Sequence, residues 1–472
     1  MIEKSLGPIP ANPVKSFFVH VLTRDIELQD AILDLLDNCV DGIQRVETKR
    51  TLSKREPYQG YWAKIDFSNQ EFCIEDNCGG IPWGLHEYAF RMGRLREVSD
   101  QGRRSIGTYG IGMKRAIFKI GKDCTITTHA KDCSYRLRLS PEWMEGQEEW
   151  EIPAVEIAPA RTLGTRVRIK QLHLSVQKDF GSESWENTFR DAIATRYAYI
   201  LGKGFQVNVK ERAIKPKSIH LLFSKGGIDS KKEHPIRPFI YEARQNGVDV
   251  FLAVGFTRPI PSRDEADQSQ ENYKERYSSA DAGWTVICND RTIVYCDKTS
   301  LTGWGISGVP QYHFQFIAIS GIVVFSSEDA SLLPMTTTKR GIEASSDLYL
   351  QIRDKMIEGM KIFTQYTNLW KSRDLAAESR RHFRKIPMAS VPEILQNASR
   401  LTMVPTRGTV KGRQYKPTLP RPEKQKTHER ITFLRPVKEV RRVSAYLFDS
   451  PDKQPSEVGE KCFDMILKEA PK

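Results

Sequence analysis

The stretch Arg104–Gly121, RSIGTYGIGMKRAIFKIG, decides how the rest of the chain is read. Gly107, Gly110 and Gly112 lead into MKRAIFKI, whose apolar residues recur at helical spacing. A glycine turn that opens a helix lets backbone amides approach an anion closely, and the positive end of the helix dipole adds to the attraction. It is not a Walker loop, because no Gly-Lys-Ser/Thr triplet occurs in the chain.

Two neighbouring segments give this turn its context. Glu27–Ile43 places Ile32, Leu35, Leu36, Cys39, Val40 and Ile43 on one helical stripe, with Glu27, Asp34, Asn38 and Asp41 on the other face. YWAKIDF and EFCIED, joined by Ser-Asn-Gln, read as a hairpin of half-buried strands that ends in Asp76-Asn77-Cys78-Gly79-Gly80. Pro82–Ser105 is polar and rich in arginine, and reads as a mobile loop. CTITTHA, YRLRL and TRVRIKQL read as further strands, so the expected class is α+β, helices layered on a largely antiparallel sheet.

Together these pieces describe a nucleotide site. The three glycines cradle phosphates and Lys114 adds a positive charge. Asn38 offers an amide oxygen to a magnesium ion that also bridges the phosphates. Asp34, one turn earlier on the same face, orients or deprotonates an attacking water. Asp76 accepts a hydrogen bond from an exocyclic amine such as that of adenine, the glycines after it leave room for the ring, and Thr165 supports the carboxylate or a bridging water.

The ordered set Asp34-x-x-x-Asn38, Asp76-Asn77-Cys78-Gly79-Gly80, Gly107-x-x-Gly110-x-Gly112-x-Lys114 and Gly164-Thr165 resembles the four motifs of the GHKL ATPases, and IGTYGIGMKRAIFKIGKD looks most like their microrchidia (MORC) branch. The resemblance implies a Bergerat α/β sandwich that binds ATP and Mg2+. It assigns nucleotide binding to Asn38, Asp41, Asp76, Gly80, Ile81, Gly107, Tyr109, Gly110, Ile111, Gly112, Met113, Lys114 and Thr165, with Asn38 also holding the metal. GWTVICNDRTIVYCD resembles the strand, turn and strand of a ribosomal-S5-like transducer domain. LLPMTTTKRGI resembles its loop that returns a lysine to the terminal phosphate, which makes Lys339 and Asp34 the catalytic pair. Two departures stand out: the family usually has glutamate at Asp34, so slow hydrolysis is expected or Asp37 shares the role, and Cys78 replaces the usual first glycine of its motif.

From Glu183 the pattern restarts with WENTFRDAIATRYAYIL, the strands FQVNV, VDVFLAV, WTVIC and FQFIAIS, and the long helix LYLQIRDKMIEGMKIFTQYTNLW. The expected domains are 15–180 for ATP binding, 181–372 for the transducer-like unit, 373–442 for a basic linker or arm, and 443–472 for a small helical segment. The net charge of +13 is concentrated, since residues 400–442 carry 13 Lys/Arg against 3 Asp/Glu. Such a segment is an electrostatic handle for phosphate-rich partners.

The eight cysteines form no CxxC pair and read as reduced thiols rather than zinc ligands. No apolar run of about 18 residues and no signal pattern appears, so the expected location is the cytoplasm, or the nucleus in a eukaryote. The expected function is a slow, Mg-dependent ATPase acting as a homodimeric clamp on nucleic acid. The alternative is a heat-shock-chaperone-like ATPase that remodels a protein partner, with phage defence a possible setting.

Overall fold

The stripe expected over Glu27–Ile43 forms a helix, Leu28–Val46, in the computed structural model, which describes residues 14–52, 54–91, 93, 104–107, 110–146, 150–224, 235–261, 281–336, 338–370, 373–384, 386–406, 411–422 and 431–470. Ala31, Ile32, Leu36 and Ile43 are fully buried and share one core with the inward residues of a mixed sheet. Its strands in chain order are β1 (Trp62–Phe67), β2 (Glu71–Asp76), β3 (Gly121–His129), β4 (Ser134–Leu139), β5 (Ala154–Glu156), β6 (Gly164–Leu172), β7 (Gln206–Val209) and β8 (Arg212–Ala213). Their spatial order is β5-β4-β3-β6-β2-β1-β7-β8. The expected hairpin is β1–β2, in register at Ile65 and Ile74, and alternation along β1 turns Ala63, Ile65 and Phe67 inward.

The sheet extends further along the chain than expected. The sequence pattern assigns FQVNV to the second domain, but β7 runs parallel to β1, pairing Ala63 with Val207. The helix Glu183–Arg196 and its successor Ala198–Gly202 also bury Phe189, Ile193, Tyr197 and Ile200 in the first core. The physical reason is the open edge of β1, whose amides and carbonyls need a partner. A local apolar pattern does not say which edge a strand will join.

The second sheet follows. Its neighbours in chain order are β9 (His220–Leu222), β10 (Phe239–Gln245), β11 (Val248–Phe256), β12 (Gly283–Cys288), β13 (Arg291–Asp297), β14 (Ile319–Ser327), β15 (Met388–Ser390), β16 (Val404–Pro405) and β17 (Gly412–Tyr415). Seven of these form one sheet in the order β13-β12-β14-β11-β10-β17-β16, and β9 pairs with β15 apart from it. FQFIAIS is only partly strand: a 3-10 turn covers Phe314–Phe316, and β14 starts at Ile319 and is buried along its length. The helix Asp347–Leu369 lies so close to one face that a Cβ at Gly359 would sit 2.5 Å from Val254.

Residues 386–422 also depart from the expected linker. The helix Val391–Ala398 buries Val391 and Ile394 in a core with Phe251 and Ile322, and β17 pairs with β10. Its few apolar residues sit between basic ones, which hid them in a reading by composition. The chain divides into a unit ending at Pro422 and a second from Glu423 to Lys472. In the latter, Val437–Phe448 and Pro455–Glu469 are helices, and the Ser444 hydroxyl of the first donates to the Ser450 carbonyl of the turn between them at 2.6 Å.

The turn between β12 and β13 fastens the second sheet to the first core. Asn289 and Asp290 both have positive φ, 44° and 70°, as a two-residue hairpin turn requires. Asn289 donates to the Ser105 carbonyl at 2.8 Å, and Asp290 accepts from Lys203 at 2.8 Å and from Tyr58 at 2.5 Å. Arg291, 3% exposed, donates to Asp37 at 2.5 Å and lies over the Tyr197 ring. Burial raises the Asp37 pKa, but Arg291 and Lys339 outweigh it and hold the carboxyl below its ordinary value.

Removing one partner of a buried ion pair strands the other, so Arg291→Met is expected to destabilise the fold by about 3 kcal/mol. The double variant Arg291→Met/Asp37→Asn should recover part of that loss in urea unfolding. Asp37's lowered pKa also means that its contribution is complete above the ordinary carboxyl range near pH 4 and is lost as pH falls below it. Wild type should therefore lose more stability than Asp37→Asn on acidification.

Candidate active site

One face of the Leu28–Val46 helix carries Asp34, Asn38, Asp41 and Arg45 at successive turns, all lining a cavity of about 640 Å³. Asn38 is the one exposed residue of that helix, because the cavity is what it faces. The far end of the cavity is set by the end of β2. Asp76 accepts from the Cys78 amide at 2.7 Å, the Thr165 amide at 3.4 Å and the Cys39 thiol at 3.5 Å. Burial raises its pKa to about 6, against the lowering effect of those donors.

Close backbone approach explains the glycines around Asp76. Gly80 has φ +70°, and a Cβ there would lie 2.2 Å from the His129 carbonyl oxygen. A Cβ at Gly164 would meet the Asp76 carbonyl oxygen at 1.9 Å. Ile81 donates its amide to the Thr128 hydroxyl at 2.8 Å, and that hydroxyl lies 3.2 Å from the hydroxyl of Thr165. Thr165 thus reaches Asp76 through its amide, with its side chain in a threonine pair.

The glycine turn closes the opposite end. Asp41 spends both carboxylate oxygens on it, accepting from Ile106 at 2.6 Å and Gly107 at 3.0 Å. Asp41 is therefore a positioning residue for the turn as well as a cavity wall. Gly110 has φ +67°, and the helix Gly112–Ile120 begins at Ile111 with no side-chain cap, so its first amides keep their capacity for an anion. Lys114 is buried and donates to the carbonyls of Ala89, at 2.9 Å, and of Gly110, which braces the turn.

Asp34 sits where turn and helix meet, 3.2 Å from where a Gly112 Cβ would be. Its Oδ2 accepts from Arg115 at 2.5 Å and its Oδ1 from Lys339 at 3.2 Å. Lys339 also donates to Asp37 at 2.7 Å, from a backbone with φ +56°. Burial lowers the lysine pKa, but Asp37 and Asp34 more than offset it, so the ammonium stays charged.

The structure thus brings Asp34, Asn38, Asp41, Asp76, Gly80, Ile81, Gly107, Gly110, Ile111, Gly112, Met113, Lys114, Thr165 and Lys339 to one cavity. Tyr109 lies outside the described residues, as does most of the expected Pro82–Ser105 loop beyond Arg91. Sequence reasoning missed Arg45, Arg115 and Thr128. Arg45 had a signal, seven residues after Asn38 on the same helical face. The other two depend on tertiary contacts with no local pattern.

The donors suit an anionic nucleotide. The Nε atoms of Arg45 and Arg115 are buried without a hydrogen-bond partner among the described residues. Asn38 fits magnesium, an ion that takes one or two protein oxygens and completes its shell with water and phosphate.

Residues 26–172 match the model of the family described as histidine kinase-, DNA gyrase B- and HSP90-like ATPases. The matched span runs from the start of the Asp34 helix to the end of β6, and it supports ATP binding and hydrolysis within the broad GHKL superfamily. No curated protein matches the chain.

The role expected of Asp76, accepting from an adenine amine with either oxygen, requires it to be ionised. Affinity for a non-hydrolysable ATP analogue, measured by calorimetry, is expected to be full above pH 7 and to weaken as pH falls through about 6. Asp76→Asn should bind weakly at every pH, and a wild-type profile flat down to pH 5 would contradict this role. In folding the sign reverses: the raised pKa makes Asp76's contribution decline as pH rises from about 4 to about 6.

Proposed function

We propose that the chain is a magnesium-dependent ATPase that works as an ATP-gated homodimeric clamp on nucleic acid. The observation that carries this reading is Lys339, which leaves the second sheet's side of the molecule to grip Asp34 inside the cavity of the first. A residue that starts on the second sheet's side and ends in the first sheet's cavity can tell one what occupies the other. The second sheet then plays the part of a transducer, in the manner of the MORC-like branch.

The chemistry follows from the charges. Each Asp34 oxygen holds one cation, Arg115 on Oδ2 and Lys339 on Oδ1. A terminal phosphate competes for Lys339, and its arrival frees Oδ1 to accept a hydrogen bond from water while Arg115 keeps the carboxylate oriented. Asp34 takes the proton as the water oxygen attacks phosphorus, and ADP leaves. Amides of the Gly107–Gly112 turn and the helix start hold the phosphates, and Asp76 selects adenine. Magnesium, held through Asn38, would neutralise phosphate charge. Aspartate in place of glutamate withdraws the carboxylate by about one carbon–carbon bond, consistent with slow turnover.

The excess of 13 Lys/Arg over 3 Asp/Glu in residues 400–442 supports nucleic acid as partner. A protein-remodelling ATPase is the second reading, favoured by the exposed Tyr446, Phe463, Ile466 and Leu467 on the two C-terminal helices.

Phosphate release with and without DNA tests the proposal. Asp34→Asn and Asn38→Ala should each lower turnover by about 10²–10⁴-fold, the usual range for a lost general base or its equivalent. Stimulation by DNA, together with dimerisation on adding the ATP analogue in sedimentation, supports the clamp. Turnover indifferent to DNA favours remodelling of a protein.

A further inference from the structure

A second cavity of about 780 Å³ lies apart from the nucleotide pocket, in the same unit of the chain. Its lining carries seven cations against the carboxylates of Glu242, Asp249 and Asp290. Six of the cations, Lys54, Arg55, Arg104, Arg244, Lys411 and Arg413, are exposed on the rim, and Lys203 lies deeper against Asp290. Tyr199, Val250, Phe251, Val324 and Leu395 supply an apolar floor.

The rim is not electrically satisfied. Asp249 is shared by Arg104 at 3.5 Å and Arg244 at 3.7 Å, both longer than a good charge-assisted hydrogen bond. Arg413 pairs with Glu242 at 2.9 Å and Arg55 with Glu393 at 3.2 Å, but Lys54 and Lys411 have no ion-pair partner among the described residues. Exposed pairs of this kind contribute little and yield readily to a ligand that offers more charge.

We propose that this cavity binds a nucleotide unit, its phosphate on the arginine and lysine rim and its base on the apolar floor. The inference rests on the nucleic-acid part of the function proposed above and gives that partner a place. The basic segment forms one wall, because Lys411 and Arg413 belong to β17 and its approach, while Lys54 and Arg55 come from the segment just before β1. Arg104 adjoins Ser105, whose carbonyl is held by Asn289 and whose successors Ile106 and Gly107 are held by Asp41. The two cavities therefore share one short run of backbone.

The test is fluorescence anisotropy of a fluorescein-labelled oligothymidylate of about twelve residues with the full chain, across salt concentrations, beside displacement by free thymidine monophosphate. Thymine lacks the amine that Asp76 would recognise, which keeps the probe out of the first cavity. Lys54→Ala/Arg55→Ala and Lys411→Ala/Arg413→Ala should each weaken oligomer binding at least tenfold. Loss of two phosphate contacts should also flatten the log–log salt slope by about 1.4. Arg161→Ala/Lys178→Ala, two exposed cations that line neither cavity, is the control, and thermal melting shows that each variant folds.

Cavity variants that bind the oligomer as tightly as wild type overturn the inference and leave the nucleic-acid function standing. Binding of the monophosphate alone, lost in the cavity variants, supports the site with a free nucleotide as its source and removes the nucleic-acid function. Failure of wild type to bind either probe overturns both.

Discussion

Two carboxylates and three cations at the meeting of the two sheets, all buried except the half-buried Arg115, hold the molecule's working parts in one arrangement. Asp34 and Asp37 lie on one helix. Arg115 comes from the helix after the glycine turn, Arg291 from the hairpin of the second sheet, and Lys339 from the loop beyond it. Burying so many charges is unfavourable unless every one is paired, so the cluster fixes the relative placement of four chain segments more strictly than apolar packing would. Its net charge is also positive by one, so an anion arriving beside it finds attraction already in place.

Steric demands act on the same geometry from the other side. Gly112 leaves Asp34 room it would otherwise have to yield, and Gly80 and Gly164 are needed because strand ends and the Asp76 turn pass within contact of their backbones. These glycines therefore serve packing inside the site as well as access for a ligand. Gly42 extends the pattern, since a Cβ there would lie 2.6 Å from the Cys78 carbonyl oxygen. The helix with Asn38 can approach the Asp76 turn only because that position is bare.

The site was largely legible in the sequence because its residues cluster in four short segments, each with its own local signal: a helical stripe, a strand ending in glycines, a glycine turn and a Gly-Thr strand start. Lys339 was legible only through the resemblance of its loop. What escaped were long-range pairings. Arg291 and Asp290 sit in a hairpin whose alternation says nothing of Asp37 or Tyr58, more than 200 residues earlier. β7 likewise has an ordinary strand pattern, and only the free edge of β1 decided which sheet it joined. Residues 386–422 were hidden by composition, since a few buried side chains such as Ile394 suffice to fold a basic segment against an existing core.

The cluster also bears on how occupancy of one cavity would be felt elsewhere. Lys339 is shared by Asp34 and Asp37, so any phosphate that draws it away leaves Asp37 to Arg291 and the Tyr197 hydroxyl alone. Arg291 would then carry more of the burden, and it is continuous through the hairpin turn with Asp290 and Asn289, which hold Lys203 and the Ser105 carbonyl. If phosphate binding and the closure of that turn are linked in this way, each would shift the other's equilibrium by the same factor. The turn therefore adds a second connection between the cavity and the second sheet beside Lys339 itself, and the two meet at Asp37.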